Sequence, residues 1–374
     1  MAITTLERPT LVRSSGERAR VLPVLLVLLM AAAVSGSSTV DRVNAVPEPA
    51  SAAVDDAFGR WVLGQGPAFA APTPGQAPAT EAVAPPVATT AGAAPAAAPA
   101  PASSTKWLPS GKGMWIYVPD KTEKGNVDAI VAKAKATGLT HLWVRMGSAW
   151  DGFNVIPFVD RLIPAAHAAG IKIIGWDFPK LEPWDADVAR ALTMIRHTTP
   201  GGHRIDAFSA DIETRAEGTR ISPEAARSYG AALRAGVGAD YPLIATVPRP
   251  SKERASFPYA EVVADYDAIA PMVYWLNRQP DSDVIGAMKD LAKFGKPVYP
   301  VGQAYDGAPE GGRRGVPPPD ELNRFMFAAH QHGAPAISFW SWQAANQPAW
   351  DAIRDAIEYR VASGPGSPAQ TFTP

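Results

Sequence analysis

The run Asp206-Ala-Phe-Ser-Ala-Asp-Ile-Glu213 places two carboxylates, Asp211 and Glu213, two residues apart in a 374-residue chain. Read as a strand, it turns Ser209, Asp211 and Glu213 to one face and Phe208, Ala210 and Ile212 to the other. The two carboxyls then stand within about 7 Å of each other. Each negative charge raises the other's proton affinity, and burial raises it further, so one carboxyl can stay protonated near neutral pH. A protonated carboxyl is what general acid catalysis at a glycosidic oxygen needs. The competing reading is a pair neutralised by arginines inside a non-catalytic domain, with Arg145 and Arg215 as candidates.

Other residues of the right type recur near the ends of apolar runs. Alternation pairs Met272 with Tyr274, whose hydroxyl could donate to a developing charge or simply bond the backbone. Trp340 and Trp342 lie two residues apart, the spacing of an indole platform for the apolar face of a sugar. Trp115, Trp143, Trp150, Trp176 and Trp184 fall in or just after the first three runs and predict an aromatic rim, with core packing as the alternative. Asp306, after Val301-Gly-Gln303-Ala-Tyr305, could oppose Glu213 as the nucleophile of a retaining pair, and Asp177 is a third carboxylate expected to face inward. Trp176, Asp177, Arg145, Met272 and Gln303 join Trp340 and Trp342 as expected substrate contacts, with Glu213, Asp211, Tyr274 and Asp306 as the catalytic set.

Several chemistries lack their residues. There is no cysteine, which removes thiol catalysis, thiolate metal sites and a lipoprotein anchor. Six histidines are scattered, His330-Gln-His332 closes a helix away from the expected mouth, and no His-Glu-x-x-His run occurs, so no metal or cofactor is expected. No Gly-x-Ser-x-Gly elbow occurs either. A formal net charge of −1 gives no electrostatic case for a nucleic-acid partner.

The elements that must position these residues are short apolar runs alternating with amphipathic ones. The strand-like runs are Met114–Val118, His141–Met146, Ile171–Phe178, Ala207–Ile212, Leu243–Val247, Ala268–Trp275, Pro297–Val301 and Ala336–Trp342. Helical patterns span Val127–Thr137, Phe158–Ala169, Pro223–Ala235, Val284–Phe294 and Asp320–His332, several closing on glycine (Gly138, Gly170, Gly295, Gly333) as helix C-caps do. Eight strand–helix repeats over about 250 residues predict a (β/α)₈ barrel, an α/β TIM barrel spanning 105–362. A doubly wound open sheet is the competitor, but no Gly-rich phosphate loop follows the first strand. In the barrel, functional residues stand at the C-terminal ends of the strands, where this set falls.

Residues 1–36 carry four arginines and an uncharged run, residues 21–34 (VLPVLLVLLMAAAV), too short for a comfortable membrane span. They read as an export signal or an uncleaved anchor, predicting a secreted or extracytoplasmic, surface-tethered or cell-wall-associated protein. Residues 37–104 form a linker, Ala/Pro-rich from about Pro72 and expected to be extended and disordered, and 363–374 a disordered tail.

The strand carrying the carboxylates resembles that of glycoside hydrolase family 18, the chitinases and their relatives, whose motif runs Asp-Gly-x-Asp-x-Asp-x-Glu. Asp206, Asp211 and Glu213 match it, Met272 and Tyr274 match that family's Met-x-Tyr, and a tryptophan on the last strand is shared. Ala207, Ser209 and Trp275 depart from the pattern. The Asp-Ile-Glu run is similar also to family 25 muramidases. The resemblance implies a hydrolase of N-acetylated polysaccharide, chitin- or peptidoglycan-like, with Glu213 as acid and Asp211 orienting the acetamido group. A non-catalytic sugar-binding barrel and a structural envelope protein remain the rivals. A fragment of residues 103–364 is expected to melt cooperatively on its own, since the preceding text lacks core-forming residues; an unfolded fragment in calorimetry would move the domain boundary.

Overall fold

A computed structural model describes residues 106–359. The expected export signal, the linker and the tail lie outside the described residues.

Eight parallel strands close into a barrel, as expected. They are β1 (Gly111–Ile116), β2 (His141–Ser148), β4 (Lys172–Phe178), β5 (Ala207–Asp211), β6 (Leu243–Pro248), β7 (Ala268–Val273), β8 (Val301–Gln303) and β9 (Ala336–Trp340). A two-residue strand, β3 (Gly152–Phe153), returns antiparallel onto β2. Closure comes from β1, which pairs with β2 at Gly113–His141 and with β9 at Gly111–Ala336. The surrounding helices are α1 (Val127–Thr137), α2 (Ile156–Ala168), α3 (Trp184–Arg196), α4 (Pro223–Val237), α5 (Tyr259–Val263), α6 (Pro280–Ala292), α7 (Pro319–Gln331) and α8 (Gln347–Asp355).

Local chemistry sets the element ends. Asn126 and Ser222 cap α1 and α4 by accepting from the amides of Ala129 and Ala225, both at 3.1 Å. Gly138 ends α1 at φ +70°, a conformation that costs glycine little. The seventh barrel strand is the main departure from the expected boundaries. It begins at Val301 rather than Pro297, with Val298 bridging Ile269 alone. Pro297 and Pro300 have no N–H to donate, so a continuous ladder cannot form across them.

The core has two layers. Phe208, Ala210 and Ile212 of the β5 segment face the helices with most of the apolar residues. In the barrel interior Trp115, Trp143 and Trp176 of β1, β2 and β4 cluster with Ile174, Ile244, Tyr299 and Val301 and with the small Ala207, Ala268, Ala270 and Ala336 of β5, β7 and β9. The alanines leave room in this cluster for the indoles. Trp115 and Trp143 stack at 4.6 Å, and Trp107 and Leu108 of the entering chain pack against the same cluster.

A register shift in the β2–β4 ladder falls between Arg145 and Gly147, just before the β3 return. A β-carbon at Gly147 would overlap the carbonyl oxygen of Gly152 and come within 2.6 Å of Met194 Cε. Gly147→Ala is therefore expected to destabilise the fold by about 1–3 kcal/mol, read as a lowered urea midpoint; an unchanged midpoint would show that β3 can move away freely.

Candidate active site

At the C-terminal end of β5 the ladder continues past the strand: the Ile212 amide donates to Thr246 O at 2.9 Å. Thr219, buried, then accepts from the Glu213 amide at 3.2 Å and donates to Pro179 O at 3.2 Å. These bonds fix Asp211 and Glu213 on the inner face, as alternation predicts. Ser209 lies below them, bonded to Thr246 Oγ1 at 2.8 Å and to Ile244 O at 3.2 Å.

Asp211 is 6% exposed, and its Oδ1 has no hydrogen-bond partner. Burial first, and then the negative charges of Glu217 and Asp177, raise its pKa to about 8, against the opposing pull of Arg145. Glu213 is half-buried. Burial pushes its pKa well above the ordinary range, helped by Glu217, whose carboxyl lies within hydrogen-bonding reach, and by Asp211. Glu217 is held in place on the turn after β5, accepting from the Thr214 hydroxyl at 2.7 Å and the Thr214 amide at 3.1 Å. Its nearest cation is Arg254, at 3.9 Å. Three carboxyls thus share a partly desolvated mouth with few counter-ions, and a proton is retained among them at neutral pH.

Tyr274 and Met272 extend inward from the end of β7, both half-buried. Burial raises the Tyr274 pKa, and the charges of Asp211, Glu213, Glu310 and Glu217 add to the rise, so its hydroxyl keeps its proton. Its ring meets Tyr305 edge-on at 5.3 Å. The floor of the mouth is Trp340 with Tyr117, 5.4 Å apart, above the buried Trp176. Arg145 lies over Tyr117 at 5.2 Å and pairs with Asp151 at 2.8 Å.

The structure therefore brings together Asp211, Glu213, Tyr274, Met272, Arg145 and Trp340, and separates other expected site residues from them. Asp177 faces the helix layer, fully buried and gripped at both oxygens by Arg190 of α3. Trp176 takes the inward position instead, but as part of the interior packing with Trp115 and Trp143. Trp342 is also not beside Trp340. The strand ends at Trp340, and Trp342 packs edge-on to Trp350 and donates to Glu123 at 3.0 Å, in the outer core. Gln303 spends both ends of its amide on the Leu276 N–H and Tyr305 O. Asp306 accepts from the amides of Ala308 and Gly315 and so closes its own loop. Of the remaining expected rim, Trp184 packs on the outer core and Trp150 lies against Phe178. Sequence reasoning missed Tyr117, Glu217, Tyr305 and Glu310. Only Glu217 left a signal, the Thr214-x-x-Glu217 spacing of a capping box.

Among the described residues no group of three or more potential ligands could hold a metal ion. His330 lies at the opposite end of the barrel, beside Ser110, Gly111 and Tyr359.

The class defined by fold and site is a (β/α)₈ barrel with a carboxyl cluster at its C-terminal mouth. No protein-family profile matches the sequence, and no curated protein is significantly similar to it. Similar solved structures are glycoside hydrolases on barrels of this kind. They include a family 18 chitinase from Flavobacterium johnsoniae, at 11% identity and TM-score 0.47, over 67% of this chain and 94% of that one. An endo-1,4-β-mannanase from Rhizomucor miehei matches at 10% identity and TM-score 0.47, over 62% and 86%. A family 99 endo-α-mannosidase from Bacteroides thetaiotaomicron matches at 13% and 0.47, over 65% and 85%. At these values the likeness does not extend to activity.

The raised Asp211 pKa has a consequence for stability. An unfolded chain releases that proton near pH 4, about the ordinary aspartate value. Between there and about 8 the native state holds more protons than the unfolded one, so this group's contribution to stability falls as pH rises. Melting curves from pH 5 to 8 are expected to show a less negative slope of Tm against pH in Asp211→Asn than in the wild type; equal slopes would mean Asp211 ionises normally.

Proposed function

We propose that this barrel is a glycoside hydrolase acting on a polysaccharide, with Glu213 as general acid. The observation that carries the reading is the partly buried Asp211–Glu213–Glu217 cluster at the mouth, with Asp211 Oδ1 left without a partner. A carboxyl that keeps its proton at neutral pH can protonate a leaving glycosidic oxygen, and an unpaired buried acceptor is a place for a substrate hydroxyl or amide N–H. Tyr274, protonated and inward-facing, is positioned to donate to substrate, and the Trp340–Tyr117 floor offers aromatic faces to a sugar ring. Chitin- or peptidoglycan-like substrates are those the sequence resemblance favours. Export by residues 1–36 belongs to the same proposal and would place the enzyme on extracytoplasmic polysaccharide.

One observation favours the second reading, a non-catalytic sugar-binding barrel. Ser209, standing where the resembled family has a carboxylate, is fully engaged with Ile244 and Thr246 and gives Asp211 no acidic neighbour. The two readings part on one substitution. The wild type is expected to hydrolyse at least one of chitin oligomers, peptidoglycan and neutral glycans. Glu213→Gln should lower that turnover by about 10²–10⁴ while leaving glycan binding and melting temperature near wild type. Binding without turnover by the wild type would establish the second reading.

A further inference from the structure

Going round the barrel from the Trp340–Tyr117 floor, the ends of β2 and β4 come before the turn after β5 that carries Glu217. They hold a second aromatic pair. Trp150, in the turn between β2 and β3, and Phe178, the last residue of β4, are both half-buried, with rings 5.1 Å apart and inclined at 50°. Every other half-buried aromatic ring among the described residues packs against the outer core or the interior block; these two belong to neither. Such a pair contributes little to either core, and apolar surface kept at the rim of a cleft marks a place where a ligand rests.

The backbone sets both rings at the mouth. Ile174 and Trp176 fill the interior, so alternation puts Phe178 on the same inner face, one step above Trp176. The β4–β5 register pairs Trp176 with Ser209 and Asp177 with Ala210. Carried one step on, it sets Phe178 level with Asp211, the carboxyl whose Oδ1 has no partner. Trp150 is placed by its turn. The buried Ser148 Oγ accepts from the Trp150 amide at 3.2 Å and the Asp151 amide at 3.3 Å, and donates to the Asp151 carboxylate. The Ala149 amide donates to Phe178 O at 2.9 Å, which ties the turn to the end of β4. A β-carbon at Gly218 would stand 3.4 Å from Trp150 Cη2, so the indole reaches across to the turn after β5. Arg145 bonds Asp151 at 2.8 Å and lies 5.2 Å over Tyr117. A polar pair thus separates the two aromatic patches along the mouth.

We propose that Trp150 and Phe178 form a second sugar subsite, so that the cleft takes a chain of sugars and not a single terminal ring. The inference rests on the sugar binding that both readings above share, and it is independent of turnover. A sugar ring offers an apolar C–H face to an aromatic side chain and hydroxyls at its edge. The Arg145–Asp151 pair, between the patches, supplies donors and an acceptor for the hydroxyls of the linked sugars. Asp211 Oδ1 supplies a further acceptor beside Phe178.

The test measures binding by the full chain to chitin oligomers and cello-oligomers, from the disaccharide to the hexasaccharide, in Glu213→Gln wherever the wild type hydrolyses them. Affinity of this parent is expected to rise with length. Trp150→Ala should remove most of that gain, weakening the longest oligomer about tenfold and the disaccharide less than about twofold, with the melting temperature near the parent's. Phe178→Leu, close in volume but without the aromatic face, should flatten the length dependence too and covers a poorly folding Trp150→Ala. Trp340→Ala should weaken every length. Equal parent affinities at all lengths, or a length dependence unchanged in both variants, overturn the second subsite; a loss of binding in Trp340→Ala then keeps the sugar-binding reading standing. Weakening by one factor at every length puts Trp150 in the first subsite or in the fold, and overturns the inference as well. A parent that binds neither series removes the sugar-binding reading and this inference together.

Discussion

A closed barrel of eight strands has an interior that must be filled, and the way this one is filled governs what its mouth can do. Indoles from β1, β2 and β4 pack against alanines of β5, β7 and β9, with Trp115 and Trp143 stacked at 4.6 Å. Barrel interiors are usually layered with branched aliphatic residues. Here a wide, rigid aromatic block reaches up to Trp340, 5.7 Å from both Trp115 and Trp176. Trp115, Trp143 and Trp176 are buried, so the carboxyls above the block lie against low-dielectric material. Desolvation is accordingly the largest cause of the raised pKa of Asp211, of Glu213 and of Glu310.

Like charges then act on groups already short of water. Glu217 presses on Asp211, Glu213 and Glu310 alike, while the nearby cations are partly spent elsewhere. Arg145 is committed to Asp151, and Arg254 approaches Glu217 no closer than 3.9 Å. Contrast Asp177, one residue beyond Trp176 and equally buried, but held by two nitrogens of Arg190. Both sites bury acid. The helix-side one has a bidentate cation, although burial outweighs Arg190 and still raises its pKa. The mouth is left short of donors, which is the condition a substrate with hydroxyl groups can relieve.

How much of this could be read from sequence depended on whether a residue lay inside a regular element. Within β5 the period of two placed Ser209, Asp211 and Glu213 on the inner face and Phe208, Ala210 and Ile212 on the outer, and the structure agrees. The same period failed at the last strand because the strand ends at Trp340, and beyond a strand end alternation has no force. Trp176 and Asp177 could not both face inward, being adjacent on one strand; the bulky indole fills the interior and the carboxylate goes to the helix that carries Arg190. Tryptophan abundance was read as a rim because count and position along the chain do not distinguish a sugar platform from an interior block. The small residues that share the cluster do, and their meeting is set by barrel closure.

Loop residues were the least legible, for a reason visible in Asp306 and Glu310. An aspartate just past a strand end has two competing uses, since its short side chain reaches the backbone amides of the following turn as readily as a ligand. Asp306 takes the first use, and each amide it satisfies helps define where Glu310 falls. Glutamate, one methylene longer and poorer at such turns, is freer to project from the framework that the aspartate makes. The division also accounts for Glu217, which is aimed by Thr214 while lying within reach of Glu213. There the carboxyl itself bonds the turn, accepting from both the amide and the hydroxyl of Thr214. The carboxyl cluster of this mouth therefore depends on the turns around it, and a sequence scan for acidic side chains at strand ends selects loop builders such as Asp306 along with the clustered carboxyls.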